Sequence, residues 1–174
     1  MEFSDVIKNR YSCKKFSSEQ IGKDKLDAIL EAGRVAPTAK NLQEQHIYVV
    51  QSESALETID KLTPCRYNAP TVLIVAYNKN NVFTYLGDKR NSGIEDATIV
   101  ATHLMLAAYN EGVDSCWINF FNPDELAKAF NLPEDEEILM LLDLGVADKT
   151  TTPLPNHNSR KALTELSLIH ISEP

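Results

Sequence analysis

Residues 92–112, SGIEDATIVATHLMLAAYNEG, form the stretch that decides the fold. Ser92 and Glu95 have the spacing of a capping box, and Gly112 is a common helix stop, so a helix is predicted that ends just before Gly112. Within residues 97–108, all but three side chains are apolar. A helix that is apolar on nearly every side is buried on most of them. We therefore expect this helix at the centre of the fold, in a subunit interface, or in both.

Shorter elements flank this helix on both sides. β-Branched and apolar runs predict strands at residues 46–50, 71–76 and 137–145 and a further strand that begins at Ser115. Apolar residues at helical spacing predict helices at residues 2–9, 23–35, 54–62 and 123–131. Ser54 and Glu57 are interpreted as a second capping box, and Asn122-Pro123 as a capped helix start. Residues 78–91 and 147–158 are predicted to be irregular.

Length and composition limit the classes of protein that this chain can belong to. Its 174 residues suit one domain, residues 1–174, and its formal net charge of −8 disfavours nucleic-acid binding. Cys13, Cys65 and Cys116 are far apart in the sequence and indicate neither a disulfide framework nor a metal site. The start of the chain does not resemble a signal peptide, and no apolar run reaches membrane-spanning length. We therefore expect a soluble cytoplasmic protein.

A basic segment near the N-terminus, RYSCKKF at residues 10–16, predicts an anion-binding face. Side chains two apart in an extended chain point to the same side, so Arg10, Ser12 and Lys14 would share one face. A guanidinium, a hydroxyl and an ammonium together suit a phosphate and a second electron-rich group. The alternative interpretation of these seven residues is a solvated basic turn after the first helix.

Two further segments carry candidate binding groups. Residues 36–43, APTAKNLQ, lie between a predicted helix and a strand, and Asn41 and Gln43 could each bind a heterocycle through an amide. The alternative there is a plain turn that follows a helix-stopping proline. Ser159-Arg160-Lys161 forms a second basic cluster, and residues from about 160 to 174 are predicted to form a C-terminal arm that could lie on a partner subunit or be a non-native extension.

Taken in order, several segments resemble those of the FMN-dependent nitroreductase family. Residues 10–16 resemble its N-terminal R-x-S-x-R/K segment, and residues 36–43 its A-P-S-x-x-N-x-Q-P segment. Residues 95–108 are similar to its central helix, and residues 112–118, GVDSCWI, to its G-L-G-S-C-W-I segment. Leu144-Gly145 and Arg160-Lys161 match the family's late strand and basic pair. The sequence departs from the family in having Gln43-Glu44 in place of Gln-Pro, and Asn119 and Phe120 where relatives often have a small or acidic residue after the Trp-Ile pair.

The resemblance implies an α+β fold, with a mostly antiparallel central sheet flanked by helices, in an intertwined homodimer that holds two FMN molecules between its subunits. Arg10, Ser12 and Arg160 would bind the phosphate and ribityl chain, with Tyr11 and Asn158 nearby, and Lys14 would approach the pyrimidine edge of the flavin. The partner subunit would contribute Pro37, Thr38, Ala39 and Asn41. One face of the flavin would lie on Trp117, Ile118, Asn119 and Phe120.

The implied activity is an NAD(P)H-dependent oxidoreductase without a catalytic side chain or a metal. Hydride would pass from NADH or NADPH to flavin N5 and then to a small acceptor, such as a nitroaromatic or a quinone, by a ping-pong mechanism. Lys14 would act as an electrostatic tuner, since a cation stabilises the charge of reduced flavin. The alternatives left open are a non-catalytic protein that stores, senses or hands over FMN, and a flavin-free structural dimer.

Overall fold

The computed structural model describes residues 1–87 and 89–166. Its helices are α1 (Phe3–Asn9), α2 (Lys23–Arg34), α3 (Glu53–Leu62), α4 (Gly93–Asn110), α5 (Pro123–Ala129) and α6 (Leu163–Leu166). Its strands are β1 (Gln45–Val50), β2 (Thr71–Asn78), β3 (Asp114–Ile118) and β4 (Glu136–Gly145). Short 3-10 turns at Ala39–Asn41 and Pro64–Arg66 join α2 to β1 and α3 to β2. Residues 167–174 of the predicted arm lie outside the described residues.

The strands form a sheet in the order β1-β2-β4-β3, and every neighbouring pair is antiparallel. The unbroken apolar run of β2 explains its central place, because its residues Thr71 to Tyr77 are all buried. β2 and β4 pair along their full lengths, with an irregularity between Val75 and Ala76. This arrangement confirms the predicted antiparallel α+β architecture.

The two faces of the sheet are covered by different helices. Leu73 and Val75 of β2 pack with α4 and α2 in one apolar cluster. Val72 and Ile74, which alternate with them, pack into a second cluster on the opposite face with residues of α3 and α5. Helices therefore cover both faces of the sheet. Successive side chains of a strand point to opposite faces, so each face needs its own apolar cover when both are buried.

The central helix α4 is buried on the side that faces the sheet. Leu104 is fully buried and lies against Gly33 of α2, where a Cβ atom would come within 2.7 Å of the Leu104 Cδ2 atom. On its outer side, Ile94 and Ile99 remain 57% and 37% exposed in the single chain. The expectation of a helix buried at the centre of the fold is thus met on one side, and its role in a subunit interface stays a prediction.

The predicted capping box at the start of α4 is wrong. Ser92 itself has a helical conformation, with φ −85° and ψ −4°, and its hydroxyl accepts a hydrogen bond from Phe83 N at 3.1 Å. Asn91 Oδ1 accepts from Gly93 N at 3.0 Å instead, and Glu95 accepts from the hydroxyl of Tyr85. The side chains of Ser92 and Glu95 therefore bind residues of the preceding loop and do not cap the backbone of α4.

The other two predicted helix starts have different outcomes. The proposed box at Ser54 is wrong, because α3 begins at Glu53 with Ser52 as its N-cap. The predicted cap of α5 is confirmed, since Asn122 Oδ1 accepts from the backbone N–H groups of Asp124 and Glu125, at 3.1 and 3.3 Å. This helix ends at Ala129, slightly before its predicted end.

We predict that Gly93→Ala destabilises the fold, because a Cβ atom there would lie 2.3 Å from Cε2 of the buried Tyr77 ring. The ring would have to shift, at a cost of about 1–3 kcal/mol in the free energy of unfolding, measured by urea denaturation. Gly22→Ala is the matched control, since nothing lies within 4 Å of the added atom. Equal stability of the two variants would contradict the close contact between α4 and β2.

Candidate active-site cleft

The basic segment at residues 10–16 is extended, which is the condition for a shared face of Arg10, Ser12 and Lys14, and it lies along the edge strand β3. Cys13 N donates to Ser115 O at 2.9 Å, and Ser12 forms a parallel bridge with Ser115. Alternation along this segment buries Cys13 and leaves the side chains of Ser12 and Lys14 exposed. Pairing with β3 therefore presents the polar side chains of the segment to a neighbouring cleft.

This cleft has a volume of about 550 Å³, within the range of roughly 300–1,000 Å³ that is typical of small-molecule sites. It combines the basic segment, the chain that follows β3, a turn after α3, and the stretch before α6. Its lining residues are Arg10, Tyr11, Ser12, Lys14, Cys65, Tyr67, Cys116, Trp117, Ile118, Asn119, Phe120, Leu154, Asn156, His157 and Arg160.

Three cations line this cleft, and no carboxylate of the described residues neutralises them. Among the described residues, Arg10, Lys14 and Arg160 form no ion pair with a carboxylate. Arg160 Nη1 donates to the carbonyl oxygens of His157 and Ser159, and Arg10 Nη1 lies 3.6 Å from Met105 Sδ. These contacts orient the guanidinium groups and leave their charges uncompensated, in a chain whose net charge is −8. The cleft therefore favours an anionic ligand.

Other parts of the cleft wall carry apolar and aromatic side chains. Phe120 is 73% exposed, and the hydroxyl of Thr63 holds its backbone by donating to Phe120 O at 2.6 Å. Trp117 Nε1 donates to Asn119 Oδ1 at 2.8 Å, and Leu154 is also exposed. Exposed apolar side chains beside fixed polar groups suit a ligand that has a flat apolar part.

Two titratable side chains in the cleft, Tyr11 and Cys116, stay protonated near neutral pH. Burial, with a smaller effect of Asp114, raises the pKa of Tyr11 to about 12. Burial, followed by the charge of Asp143, raises the pKa of the Cys116 thiol to about 12, although Lys14 acts in the opposite direction. A buried thiol of this kind is a poor nucleophile. The described residues of the cleft thus offer binding groups and an electrostatic field rather than an activated nucleophile.

The structure brings together nine of the residues predicted to bind the cofactor. These are Arg10, Tyr11, Ser12, Lys14, Trp117, Ile118, Asn119, Phe120 and Arg160. Asn158 is not among the residues that line the cleft, whereas its neighbours Asn156 and His157 are. Sequence reasoning missed these two neighbours together with Cys65, Tyr67 and Leu154. No motif marked them, because turns between the elements bring them to the cleft.

The remaining predicted residues, Pro37, Thr38, Ala39 and Asn41, do not line this cleft within the single chain. They lie in the turn between α2 and β1, where Ala39 N donates to Asp96 Oδ1 at 2.8 Å at the start of α4. The sequence resemblance assigned them to the site of a partner subunit. That assignment stays a prediction.

Comparison with known proteins identifies the family. The Nitroreductase family matches the chain at residues 7–66 and 63–146. The chain belongs to the nitroreductase family. This match confirms the resemblance found in the sequence and the prediction of an oxidoreductase.

Relatives of this nitroreductase-family chain are similar over nearly its whole length. A nitroreductase family protein from Clostridium difficile 630 is 32% identical with a TM-score of 0.89, over 96% of this chain and 97% of that one. The Bacillus subtilis protein named "Putative NAD(P)H nitroreductase YodC" is 28% identical, over 90% of this chain and 93% of its own length. An Exiguobacterium sibiricum nitroreductase, solved in complex with FMN, shares the fold at a TM-score of 0.84, with 20% identity over 96% of each chain.

Within residues 1–87 and 89–166, no helix is both long and apolar enough to cross a membrane.

We predict that iodoacetamide at pH 8 modifies Cys65 well before Cys116 in the folded protein. Cys65 is half-buried, whereas a thiol with a pKa of about 12 has about one molecule in ten thousand ionised at that pH. Peptide mass spectrometry over a time course measures both rates, with the urea-unfolded protein as the control. Equal rates in the folded protein would contradict the burial of Cys116 beneath the cleft.

Proposed function

We propose that this protein is an FMN-dependent NAD(P)H oxidoreductase that reduces small acceptors such as nitroaromatics or quinones. The observation that carries the proposal is the cleft itself, in which Arg10, Lys14 and Arg160 lie near exposed apolar side chains. FMN has the matching chemistry, with a phosphate that is anionic and a ring system that is flat. The family match, the name of the YodC relative and the FMN complex of the structural neighbour agree with this proposal.

The residues of the cleft fit the cofactor in charge and in hydrogen-bonding capacity. The guanidinium groups of Arg10 and Arg160 and the exposed hydroxyl of Ser12 would hold the phosphate and the ribityl chain. Trp117 and Phe120 would lie beside the ring system. When bound, FMN would supply the centre that accepts hydride from NADH or NADPH and passes it on. The chain's own contribution is to bind and orient the cofactor and to set its electrostatic environment.

Lys14 is the residue that we assign to electrostatic tuning. Its ammonium group lies 5.6 Å from the centre of the Tyr67 ring, on the cleft side of the extended segment. A positive charge beside the pyrimidine edge would stabilise the reduced cofactor more than the oxidised one. The side chain would therefore raise the reduction potential in addition to its contribution to binding.

We also propose that the active form is a homodimer. The outer side of α4 exposes Ile94 and Ile99, which a second copy of the chain would cover. In such a dimer, the turn containing Thr38, Ala39 and Asn41 would reach the cofactor of the partner, as the sequence resemblance implied. Analytical ultracentrifugation tests the assembly, and a monomer at micromolar concentration would contradict it.

A visible spectrum of the purified protein tests the proposed function. A bound flavin absorbs visible light, and anaerobic NADH or NADPH should bleach this absorption, after which a nitroaromatic or a quinone should restore it. A flavin that stays oxidised with both nucleotides would favour the alternative of a protein that stores or senses FMN. Failure of the apoprotein to bind added FMN would contradict both functions.

Arg10→Ala should weaken FMN binding by roughly 10- to 100-fold, because a charged hydrogen-bonded contact contributes about 1.5–3 kcal/mol. Fluorescence titration of the apoprotein with FMN measures the dissociation constant. Lys8→Ala is the matched control, since it removes a nearby cation that is exposed on α1 and does not line the cleft. Equal losses in the two variants would show a general charge effect in place of a phosphate contact.

Lys14→Gln should lower the two-electron midpoint potential of the bound flavin by about 30 mV, the equivalent of about 1.4 kcal/mol. The potential falls because glutamine removes the positive charge, whereas its side-chain amide keeps a hydrogen-bond donor. Dye-equilibrated reductive titration measures the potential, with Lys15→Gln as the control because Lys15 points to Asp148 and Thr150. An unchanged potential in Lys14→Gln would rule out the tuning role.

A further inference from the structure

Two buried acids face each other beneath the turn between α2 and β1. Glu44 immediately precedes β1 and Asp96 lies in the first turn of α4, and the two residues are only 4% and 3% exposed. Their carboxyl groups are within hydrogen-bonding reach of each other. Asp96 Oδ1 accepts from Ala39 N at 2.8 Å. The other three carboxyl oxygens receive no hydrogen bond from the described part of the chain if both acids are ionised.

A single proton shared by the two carboxyl groups removes the need to bury two negative charges in contact. Two ionised carboxylates in contact and away from water repel each other and lose their hydration, whereas a protonated Glu44 donates to Asp96 Oδ2. Burial in the first place, and the hydrogen bond with Asp96 in the second, raise the pKa of Glu44 to about 7. The pair therefore changes its charge close to physiological pH.

The groups around the pair offer no compensating positive charge among the described residues. None of the ion pairs includes Glu44 or Asp96. Lys40, in the turn above, places its ammonium 5.0 Å from the centre of the Phe83 ring. From β2, the ring of Tyr77 lies against the start of α4, and Asn78 N donates to Glu44 O at 2.9 Å.

The turn above the pair has a conformation that needs external support. Lys40, Asn41 and Gln43 all have positive φ, at 53°, 55° and 54°. Residues other than glycine occupy this region at a cost and keep it when surrounding contacts enforce it. The contacts here are the bond from Ala39 N to Asp96 and the bond from Gln43 N to Thr38 Oγ1, at 3.0 Å. The position of the Asp96 carboxyl group therefore helps to fix the turn.

We propose that Glu44 and Asp96 share one proton and thereby hold the turn at residues 38–43 in shape, so that loss of this proton as the pH rises through neutrality loosens the turn. In the sequence resemblance, Glu44 takes the place of the proline in the family's Gln-Pro. If the turn reaches the cofactor of a partner subunit, which rests on the proposed function, FMN affinity falls over the same pH range.

Glu44→Gln is the first test, because its amide N–H₂ donates to Asp96 at every pH. In the wild type, the folded state keeps the proton up to about pH 7, whereas unfolded glutamate loses it near pH 4.3. Stability of the wild type should therefore fall as pH rises from about 4.5 to 7 and level off above that. The stability of Glu44→Gln should not show this fall with pH, so its melting temperature should exceed that of the wild type at pH 8.5. Glu57→Gln, which removes an exposed glutamate of α3, should follow the wild type.

Hydrogen exchange at residues 39–43 of the FMN-free protein is the direct measurement of the turn. Between pH 6 and 8.5, the protonated fraction of a group with a pKa of 7 falls about thirtyfold. After correction for the intrinsic rate, exchange in the wild type should accelerate over this range, and exchange in Glu44→Gln should not. Asp96→Asn is a second variant, which keeps an acceptor for Ala39 N–H and gains a donor to Glu44, so it should also suppress the acceleration.

The possible outcomes distinguish failure of the shared proton from failure of the proposed function. Unchanged exchange in the wild type between pH 6 and 8.5, or equal acceleration in Glu44→Gln, overturns the shared proton. Restored protection at pH 8.5 on addition of Na⁺, Mg²⁺ or Ca²⁺ also overturns it, because a cation would then be the bridging group. Weaker FMN binding at pH 8.5 in the wild type alone supports the link to the cofactor. Absence of FMN binding at both pH values contradicts the proposed function, while the exchange data still decide the proton.

Discussion

Pairing of the extended segment at residues 10–16 with the edge strand β3 is the interaction on which the site depends. The backbone hydrogen bond from Cys13 N to Ser115 O sets the register of this segment against β3, and a further one joins Asp148 N to Lys15 O. A shift by one residue would bury the polar face and expose Cys13, because side chains alternate along an extended chain. At its far end, Phe16 N donates to Tyr67 O, which ties the segment to the turn that supplies Tyr67 to the cleft. Binding groups distant in the sequence are thus assembled mainly by backbone hydrogen bonds.

Patterns that rest on burial predicted the fold well. The apolar run at residues 71–76 became the central strand β2, and the apolar helix became α4, packed on the sheet. The alternation in residues 10–16 also predicted which side chains share a face. These patterns are reliable because the apolar side chains that pack into the core recur with the period of the helix or strand that carries them. The match to the nitroreductase family covers the same elements, and it confirms the assignment that the order of the sequence segments had indicated.

Predictions that rested on polar spacing alone were less successful, because polar side chains choose among competing partners. Ser92 and Glu95 had the spacing of a cap, yet Phe83 and Tyr85 of the preceding loop bind them. Cys65 and His157 reach the cleft through turns that no periodicity reports. The pair of Glu44 and Asp96 was equally hidden, since 51 intervening residues separate the two acids in the sequence. Sequence patterns therefore located the site, whereas the packing of its turns had to be observed.

A crystal structure of the protein with FMN would show directly whether the cleft beside residues 10–16 is the cofactor site. We expect the phosphate between the guanidinium groups of Arg10 and Arg160, and the ring system beside Trp117 and Phe120. FMN bound elsewhere, for example in the groove between α2 and β1 that is lined by Leu30 and Ile47, would contradict this expectation.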